Sequence, residues 1–387
     1  MTDDNTAAPA RQLSATPRSL LIEWANGRTS VFSSVWLRDN CPGDRDRANG
    51  QRLVDIADLP VDPLIRMASM QAGSVLVQWE SEPEATAFDL GWLARHAPGE
   101  PAYRGPELTN RLWLEGASLQ ASRDFAWSAL AEVCGNPAAR LAWLTRLLQD
   151  GIAFLREVPR EDSSVLDAAS LIGQVAETNY GRVFDVRSVP QPQNLAYSDL
   201  GLGLHTDNPY REPVPGFQLL HVKVASDEGG ESLFADGFAI AEHLRATESE
   251  SFRLLTRTAV PFLYRSKDAE LHAERPFIQL ALDGAVVAVH YNNRSIAPLR
   301  LPADQAEPFY ASYRVFARML RDPRFQLKLH LSNGDLVAFD NRRVLHGRTA
   351  FLSARYPRHL RGCYLSRDSV YSGTALLRRK LTEESGT

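Results

Sequence analysis

The chain is poor in cysteine and has no long apolar run, and each shortage excludes a class of protein. Cys41, Cys134 and Cys363 are too few and too scattered among 387 residues for a disulfide framework. We therefore expect a reducing compartment, the cytoplasm. No apolar stretch approaches the length of a membrane span, so no membrane partner is expected.

The chain also has no excess of positive charge. Its 43 Lys and Arg residues are outnumbered by 47 Asp and Glu residues, and the formal net charge is -4. The arginines are scattered and form no run with interleaved aromatic residues, so no nucleic-acid partner is expected. The hydrophobic fraction of 44% and charged fraction of 23% are typical of a soluble globular protein.

Composition divides the chain into four segments. Residues 1–17 are polar and acidic, lack the basic and apolar regions of a secretory signal, and are expected to be a disordered tail. Residues 18–98 indicate a small β-rich module, with alternating apolar residues around the hairpin signal Asn26-Gly27. Residues 99–121 carry prolines and are interpreted as a linker to a domain at 122–387. The same β-segments could also belong to one continuous domain.

Many short strands and a few helices are predicted from the spacing of apolar residues. The predicted strands of the larger segment are 152–155, 217–224, 261–264, 285–291, 326–331 and 336–339, and its predicted helices are 141–148, 238–246 and 306–320. Asn333-Gly334 predicts a hairpin between the last two strands. The mixture favours a mainly β fold with flanking helices around a double-stranded β-helix, or jelly roll.

Two histidines and one aspartate form the most informative pattern. His205 and Asp207 are two residues apart, so on an extended strand both side chains would face one ion. The distant His346 would supply a third ligand. Two imidazoles and one carboxylate, with open positions opposite, suit non-heme Fe(II) that must also bind oxygen and a second small molecule. Taken alone the pattern is weak, because a His-x-Asp is often only part of a polar loop.

Arg358 follows His346 after a short strand and turn. An arginine near an iron site can clamp a carboxylate with two parallel, charge-assisted hydrogen bonds. 2-Oxoglutarate offers such a carboxylate at its far end, while its other carboxylate and keto oxygen occupy two iron positions. The arrangement therefore indicates 2-oxoglutarate as a cosubstrate.

A series of short motifs in a fixed order resembles the γ-butyrobetaine dioxygenase branch of the Fe(II)/2-oxoglutarate oxygenases, which is similar to taurine dioxygenase. The resemblance covers nearly all of the chain after the first 17 residues. The motifs are Trp36-Leu37-Arg38-Asp39-Asn40-Cys41-Pro42, Asn194-Leu195-Ala196-Tyr197, His205-Thr206-Asp207-Asn208-Pro209-Tyr210, Gly229-Gly230-Glu231-Ser232, Asp236-Gly237-Phe238, Tyr291-Asn292-Asn293-Arg294, Phe339-Asp340-Asn341-Arg342, His346-Gly347-Arg348 and Arg358-His359-Leu360. It implies an oxygenase with Fe(II) and 2-oxoglutarate, assembled as a homodimer.

The resemblance assigns roles around the iron. It implies iron ligation by His205, Asp207 and His346, and 2-oxoglutarate binding by Asn194, Ser232, Arg348 and Arg358. Without the resemblance, Asn194 could be a turn residue, Ser232 could belong to a turn after two glycines, and Arg348 could make a surface ion pair of little energetic value.

The resemblance also implies an aromatic cage for a quaternary ammonium group. Such a group cannot donate hydrogen bonds, so proteins bind it with aromatic faces. The cage corresponds to Tyr180, Phe184, Tyr197 and Tyr364, with Phe184 in place of larger aromatic residues in relatives. The anionic end of the substrate would face Asn292, Asn293 and Arg294. Without the resemblance this Asn-Asn-Arg would be a plain β-turn, and either a carboxylate or a phosphonate would suit such donors.

The N-terminal module departs from the family. The branch commonly binds structural zinc through three closely spaced Cys and one later His. This chain keeps Cys41 but has no further Cys in 42–46, and Glu84 occupies the later His position. Because structural zinc needs four ligands, mainly thiolate and imidazole, we expect no structural zinc. Asp44, Asp46 and Glu84 are expected to pair with Arg45 and Arg47, as ordinary surface charges do.

These assignments predict an Fe(II)- and 2-oxoglutarate-dependent hydroxylase of a small trimethylammonium compound. γ-Butyrobetaine giving L-carnitine is the first choice. A trimethylammonium alkylphosphonate such as 2-(trimethylammonio)ethylphosphonate is the alternative, because of Arg294 and the missing zinc ligands. Two further classes are a zinc-dependent jelly-roll hydrolase or isomerase, which Arg358 disfavours, and an inactive small-molecule binder, which the intact triad disfavours.

Overall fold

The computed structural model describes residues 9–98, 109–114, 127–187, 199–352 and 358–385. The chain divides into two compact units, Met1–Gly105 and Pro106–Thr387. Each unit is described by itself. Among the described residues, no helix has both the length and the apolar character needed to cross a bilayer.

The smaller unit contains two antiparallel three-stranded sheets, each followed by a short helix. Its strands are β1 (Ala10–Thr16), β2 (Ser19–Trp24), β3 (Thr29–Ser33), β4 (Ile65–Gln71), β5 (Ser74–Trp79) and β6 (Ala85–Asp89), and its helices are α1 (Ser34–Asp39) and α2 (Leu90–Arg95). Alternate residues of the strands point inward, and Ile22, Phe32 and Trp79 belong to one buried cluster that both sheets share. The predicted hairpin at Asn26-Gly27 joins β2 to β3.

The prediction of a disordered tail over residues 1–17 is wrong for Ala10–Thr16, which form strand β1. Ala10–Thr16 pairs with β2 in an antiparallel register that sets Leu13 opposite Ile22. Most side chains of β1 are exposed, because this strand lies at the edge of its sheet and contributes backbone hydrogen bonds more than apolar burial. Because most of its residues are polar and exposed, the alternation of apolar residues did not reveal strand β1 in the sequence. The boundaries of the linker and of the large domain stay predictions.

The larger unit is built mainly of strands. Its strands are β7 (Trp127–Ala129), β8 (Ile152–Arg156), β9 (Val175–Ala176), β10 (Phe184–Arg187), β11 (Leu202–His205), β12 (Phe217–Val224), β13 (Ser232–Asp236), β14 (Val260–Arg265), β15 (Glu270–Arg275), β16 (Ile278–Leu280), β17 (Val286–Val289), β18 (Leu327–Leu329), β19 (Leu336–Asp340), β20 (Val344–Arg348) and β21 (His359–Leu365). Its helices are α3 (Leu130–Gly135), α4 (Pro137–Asp150), α5 (Ser164–Ser170), α6 (Gly237–Thr247), α7 (Ser249–Arg257), α8 (Ala303–Met319) and α9 (Arg367–Ser385).

Two facing sheets form the jelly-roll core. The larger sheet has the order β10-β21-β12-β19-β8-β7, and the smaller has the order β11-β20-β13-β18. Successive strands β18 to β21 alternate between the two sheets, as the winding of a jelly roll requires. Between the sheets, the ring of Phe234 on the smaller sheet packs against Phe154 and Phe339 on the larger sheet, at centroid distances of 6.2 and 5.9 Å. The predicted fold class is confirmed.

The outer face of the larger sheet is covered by helices, with α4 as the clearest example. Its apolar residues Trp143, Leu144 and Leu147 are buried in one cluster with strand residues of the sheet. The side chain of Asn136 caps the helix by accepting from two backbone N–H groups, and Gly151 ends it at a φ of 74°. A left-handed C-terminal residue is a common way to end a helix, and glycine adopts it without strain.

The predicted hairpin at Asn333-Gly334 is wrong, because this turn carries the chain from one sheet to the other. Strand β18 pairs with β13, whereas β19 pairs with β12 and β8. The polar groups of the turn are bound by neighbouring segments. Asn333 Oδ1 accepts from the backbone N–H of Ala225 at 2.6 Å, and Gly334 donates its N–H to Val222 O and accepts from Val158 N.

Candidate active site

The three predicted metal ligands meet at the smaller sheet. His205 ends β11, and its antiparallel partner on β20 is His346. Their ring centroids are 4.3 Å apart. The Nε2 atoms of His205 and His346 lie 3.2 and 3.7 Å from the two carboxylate oxygens of Asp207, so one ligand atom from each residue lies within 4.8 Å of the others. Within the described residues this is the one cluster of three such side chains.

Asp207 reaches the site from a bend, not from the strand on which the sequence argument placed it. Strand β11 ends at His205, and the backbone beyond it is held by side chains. Asn341 Oδ1 accepts from Asp207 N at 2.7 Å, and Asn341 Nδ2 donates to the carbonyls of Asp207 and Pro215. The backbone N–H of Thr206 donates to Tyr291 O. These bonds replace strand pairing and fix the carboxylate beside the imidazoles.

Burial and neighbouring charges set the protonation states of the site. Burial lowers the pKa of both imidazoles, that of His346 to about 3. Burial would raise the pKa of Asp207, but the two imidazoles and the Tyr364 hydroxyl outweigh it, and that pKa falls below its usual range. The Gly203 carbonyl, 2.9 Å away, can only accept, so Nδ1 of His205 carries the proton and Nε2 faces the site unprotonated. Two neutral imidazoles and one carboxylate fit a divalent transition metal such as Fe(II).

A cavity of about 450 Å³ opens at this triad and is lined by most of the predicted site residues. Besides the triad, these are Tyr180, Phe184, Ser232, Asn292, Arg294, Arg348, Arg358 and Tyr364. Asn194 and Tyr197 lie outside the described residues. Asn293 was assigned as a substrate contact, but the structure does not support this. It is not among the lining residues, and its Oδ1 accepts from the hydroxyl of Tyr313.

One end of the cavity is cationic. Arg348 lies two residues after His346 on β20 and opposite Ser232 on β13, so all three side chains face the cavity. Arg358 lies at the same end, and its Nε donates to the carbonyl of Gly230 at 3.1 Å. A Cβ atom at Gly230 would lie 2.9 Å from Cδ of Arg358, so the glycine makes room for this guanidinium.

Three of the arginines that line the cavity, Arg294, Arg348 and Arg358, are held in an environment that disfavours their charge. Burial and neighbouring arginines lower the pKa of Arg348 to about 10 and that of Arg358 to about 9. Burial also lowers the pKa of Arg294, although Asp207 opposes this. All three remain charged at neutral pH. Buried cations that repel one another are stabilised by an anion, so this end is suited to a carboxylate.

The other side of the cavity is aromatic. The rings of Phe184 and Tyr364 lie 4.9 Å apart, and the ring of Tyr180 is 6.0 Å from that of Tyr264. Phe184 on β10 pairs with Gly362 on β21, where a Cβ atom would lie 2.7 Å from two carbons of the phenyl ring. The ring therefore lies against a position that has no room for a side chain.

Several lining residues were not assigned by the sequence argument, among them Asn208, Tyr210 and Tyr264. The rings of Tyr210 and Tyr264 stack at 5.1 Å, which extends the aromatic side of the cavity. Asn208 and Tyr210 belong to the motif that carries the first two ligands, so their position in the sequence was a usable signal. Tyr264 lies on β14 in an ordinary alternating strand, and nothing in its local sequence marks it.

Comparisons with known proteins agree with this geometry. Residues 118–364 match the family model for taurine catabolism dioxygenase TauD, TfdA family, and residues 11–94 match the model for the gamma-butyrobetaine hydroxylase-like N-terminal region. The chain belongs to the TauD/TfdA family. It is therefore a 2-oxoglutarate-dependent dioxygenase, and the donor set described above is consistent with the iron of a TauD/TfdA enzyme.

Three relatives of this TauD/TfdA protein resemble it over most of their length. Gamma-butyrobetaine dioxygenase from Pseudomonas sp. (strain AK-1) is 36% identical and covers 92% of this chain and 93% of its own. Dioxygenase str8 from Strobilurus tenacellus is 30% identical, with 89% and 84% covered. Gamma-butyrobetaine dioxygenase from Homo sapiens is 28% identical, with 93% and 94% covered.

We expect His346→Ala to abolish tight metal binding. Even a residue that only supports a ligand contributes about 10–100-fold to metal affinity, so loss of a ligand should weaken Mn(II) binding by roughly 100-fold or more. The measurement is titration of the metal-free protein with Mn(II), followed by electron paramagnetic resonance. His330→Ala, at an exposed histidine, is the matched control and should leave the affinity unchanged. Equal affinities in the two variants would contradict the proposed ligand.

Proposed function

We propose that this chain hydroxylates γ-butyrobetaine to L-carnitine, with Fe(II) bound by His205, Asp207 and His346 and with 2-oxoglutarate as cosubstrate. Two of the relatives reported above are named gamma-butyrobetaine dioxygenase, and one of them is 36% identical over 92% of this chain. The observation that carries the proposal is a wall of aromatic rings and a buried cation in the same cavity as the triad.

The aromatic wall is suited to the trimethylammonium end of the substrate. A quaternary ammonium group binds ring faces through cation–π attraction and dispersion, since it has no hydrogen to donate. Tyr180, Phe184 and Tyr364 offer such faces, and Tyr210 and Tyr264 enlarge the wall. We assign Tyr197, which lies outside the described residues, to the same wall because of its place in the motif.

The carboxylate end of the substrate would lie near Arg294 and Asn292, which also line the cavity. Arg294 is close enough to the two imidazoles to lower their pKa values, and Asp207 acts in turn to raise the pKa of Arg294. Its positive charge attracts a carboxylate and repels an ammonium group, so it would orient a zwitterionic substrate with its cation toward the rings. The two ends together would fix which carbon lies next to the metal.

The second cationic region would hold 2-oxoglutarate. Arg358, in a buried setting, would clamp the distal carboxylate, and Ser232 would donate a hydrogen bond to it. Arg348, opposite Ser232 on the neighbouring strand β20, would support the carboxylate nearer the metal. Asn194 would add a polar contact. The charge of the cosubstrate would relieve the repulsion that lowers the pKa of both arginines.

The chemistry of this reaction belongs to the bound groups. Fe(II) with 2-oxoglutarate supplies the oxidant that hydroxylates an unactivated carbon. The residues of the chain bind the two organic molecules, hold the carboxylate of Asp207 in place and exclude water from the cavity. Positioning one C–H bond within reach of the metal is the main contribution of the protein to rate and selectivity.

A trimethylammonium alkylphosphonate is not favoured as the substrate. Arg294 and Asn292 would accept either anion, so the cavity alone does not discriminate between them. None of the relatives reported above is named for a phosphonate, whereas two are named for γ-butyrobetaine. The assembly of two copies into a homodimer, the commonest oligomer, and a cytoplasmic location are kept as predictions.

A succinate-release screen tests the substrate. The purified protein with Fe(II) and 2-oxoglutarate is offered γ-butyrobetaine, trimethyllysine, taurine and 2-(trimethylammonio)ethylphosphonate. We expect the fastest release with γ-butyrobetaine, because its two ends match the aromatic wall and Arg294. Turnover of taurine alone would contradict the proposal that the aromatic wall binds a trimethylammonium group. Preference for the phosphonate would contradict the proposal that the substrate carries a carboxylate.

Phe184→Leu and Arg358→Met should have opposite effects on the two Michaelis constants. Loss of one cation–π contact costs about 0.5–2 kcal/mol, so Phe184→Leu should raise KM for γ-butyrobetaine by roughly 3–30-fold. It should leave KM for 2-oxoglutarate nearly unchanged. Arg358→Met removes the proposed clamp, so it should raise KM for 2-oxoglutarate and leave KM for γ-butyrobetaine nearly unchanged. Steady-state kinetics with each substrate varied in turn provides the measurement, and parallel increases in both constants for either variant would argue against separate sites.

We propose that the N-terminal module holds no structural zinc. Next to the Cys41 thiol, the guanidinium of Arg38 donates to both Asp44 and Glu82. The earlier expectation that Asp44 pairs with Arg45 is wrong, because Arg38 takes that place and Arg45 donates to a backbone carbonyl and an amide oxygen. An arginine between two carboxylates can bring these segments together without a metal.

Metal analysis of the purified protein tests this proposal. Zinc should be absent apart from contamination of the iron site. The decisive sample is His346→Ala, in which the iron site cannot retain metal. Zinc at one equivalent per chain in that variant would show that the module binds it after all.

A further inference from the structure

A chain of hydrogen bonds connects the aromatic wall to the carboxylate of Asp207. The hydroxyls of Tyr180 and Tyr210 are 3.2 Å apart, and Tyr210 Oη lies 2.6 Å from Asn208 Oδ1. Asn208 Nδ2 donates to Tyr364 Oη at 3.2 Å. Tyr364 Oη lies 2.8 Å from Asp207 Oδ2. Four consecutive bonds therefore link a cavity-lining tyrosine to a predicted metal ligand.

The direction of every bond follows from Asp207. An ionised carboxylate can only accept, so the one proton of Tyr364 is donated to it. The oxygen of Tyr364 must then accept from the amide of Asn208, which leaves the amide oxygen to accept from Tyr210. Because Tyr210 has donated its proton, Tyr180 donates to Tyr210. All four bonds point toward Asp207, and bonds aligned in this way polarise one another.

The backbone and the surroundings hold this chain in place. Asn208 has a φ of 54°, in the left-handed region that few residues other than glycine and asparagine adopt. Asn208, Tyr210 and Tyr364 are all at least 94% buried, so water has little access to their polar groups. A residue kept in an unusual conformation, with its amide used at both ends, suggests a role in the site.

We propose that Asn208 and Tyr210 are positioning residues that act through Tyr364 on the carboxylate of Asp207. The Tyr364 hydroxyl donates to Oδ2 of Asp207, whereas Oδ1 faces Nε2 of His205 and would be the oxygen available to a metal. Tyr364 thus has two proposed roles: its ring belongs to the aromatic wall, and its hydroxyl orients the carboxylate of Asp207. The proposal rests on the proposed metal site and does not depend on the identity of the substrate.

Three variants of the full chain, all prepared metal-free, test the proposal. Tyr364→Phe removes the last hydroxyl and keeps the ring, Asn208→Gly removes the amide and tolerates the positive φ, and Tyr210→Phe removes a more distant link. Loss of a residue that orients a ligand costs about 10–100-fold in metal affinity. We expect Mn(II) binding to weaken by roughly that factor in Tyr364→Phe, less in Asn208→Gly and least in Tyr210→Phe.

A spectroscopic signature separates positioning from general stability. We also expect the anaerobic Fe(II) and 2-oxoglutarate charge-transfer band to shift in Tyr364→Phe at saturating metal. KM for the substrate should change less than metal affinity, because the ring faces remain. Tyr313→Phe is the matched control, since its hydroxyl contacts Asn293 and it is not among the residues that line the cavity. It should leave metal affinity, band and activity unchanged.

Unchanged Mn(II) affinity and an unchanged band in Tyr364→Phe would overturn the proposal. If Tyr364→Phe lowers the melting temperature of the metal-free protein, Asn208→Gly and Tyr210→Phe decide, and normal metal affinity in both rejects the chain. Both measurements omit the ammonium substrate. A failed substrate screen would therefore leave this proposal standing, and normal metal binding would reject it without touching the proposed hydroxylation.

Discussion

The antiparallel register between β11 and β20 is the constraint on which the site depends. It sets His205 opposite His346, while β13 on the other side of β20 sets Phe234 opposite His346 and Ser232 opposite Arg348. Because side chains alternate along a strand, a slip of one residue would turn His346 and Arg348 to the opposite face together. A single pairing therefore delivers a predicted metal ligand and a predicted cosubstrate contact to the same cavity.

Charge in the cavity is unbalanced in a way that suits its proposed ligands. Arg265, Arg294, Arg348 and Arg358 line it, whereas Asp207 is the one carboxylate among the described lining residues. Dianionic 2-oxoglutarate and the carboxylate of a zwitterion are both attracted to such a surface. The neutral imidazoles add no charge, so a divalent metal increases this attraction. Binding of metal and binding of anions thus favour each other through simple electrostatics.

Much of the core was predictable from the sequence, because its strands carry strong local signals. Phe217–Val224 is rich in apolar residues, with Phe217, Leu219, Leu220 and two valines, and it forms a strand over those same residues. The metal triad was found from ligand chemistry and one motif, although the bend at Asp207 and its clamp by Asn341 were not foreseen. That clamp joins residues 134 positions apart, and no local pattern encodes it.

The errors have a common physical origin in tertiary pairing. Strand β1 is polar and exposed, so its membership of a sheet depends on a partner strand and not on its own composition. The turn at Asn333-Gly334 has a hairpin sequence but joins strands of different sheets. Tyr264 reaches the cavity from a hairpin of its own, β14 and β15, and only the fold brings it to Tyr210.

The contact between Phe184 and Gly362 ties the shape of the ligand cavity to a backbone position on another strand. Any side chain at 362 would displace the phenyl ring. A change at one of the two positions therefore constrains what the other can hold. A designer who wishes to enlarge or reshape the ring at 184 is free to do so only while 362 stays glycine, and a random library that varies 362 alone would yield mostly damaged pockets.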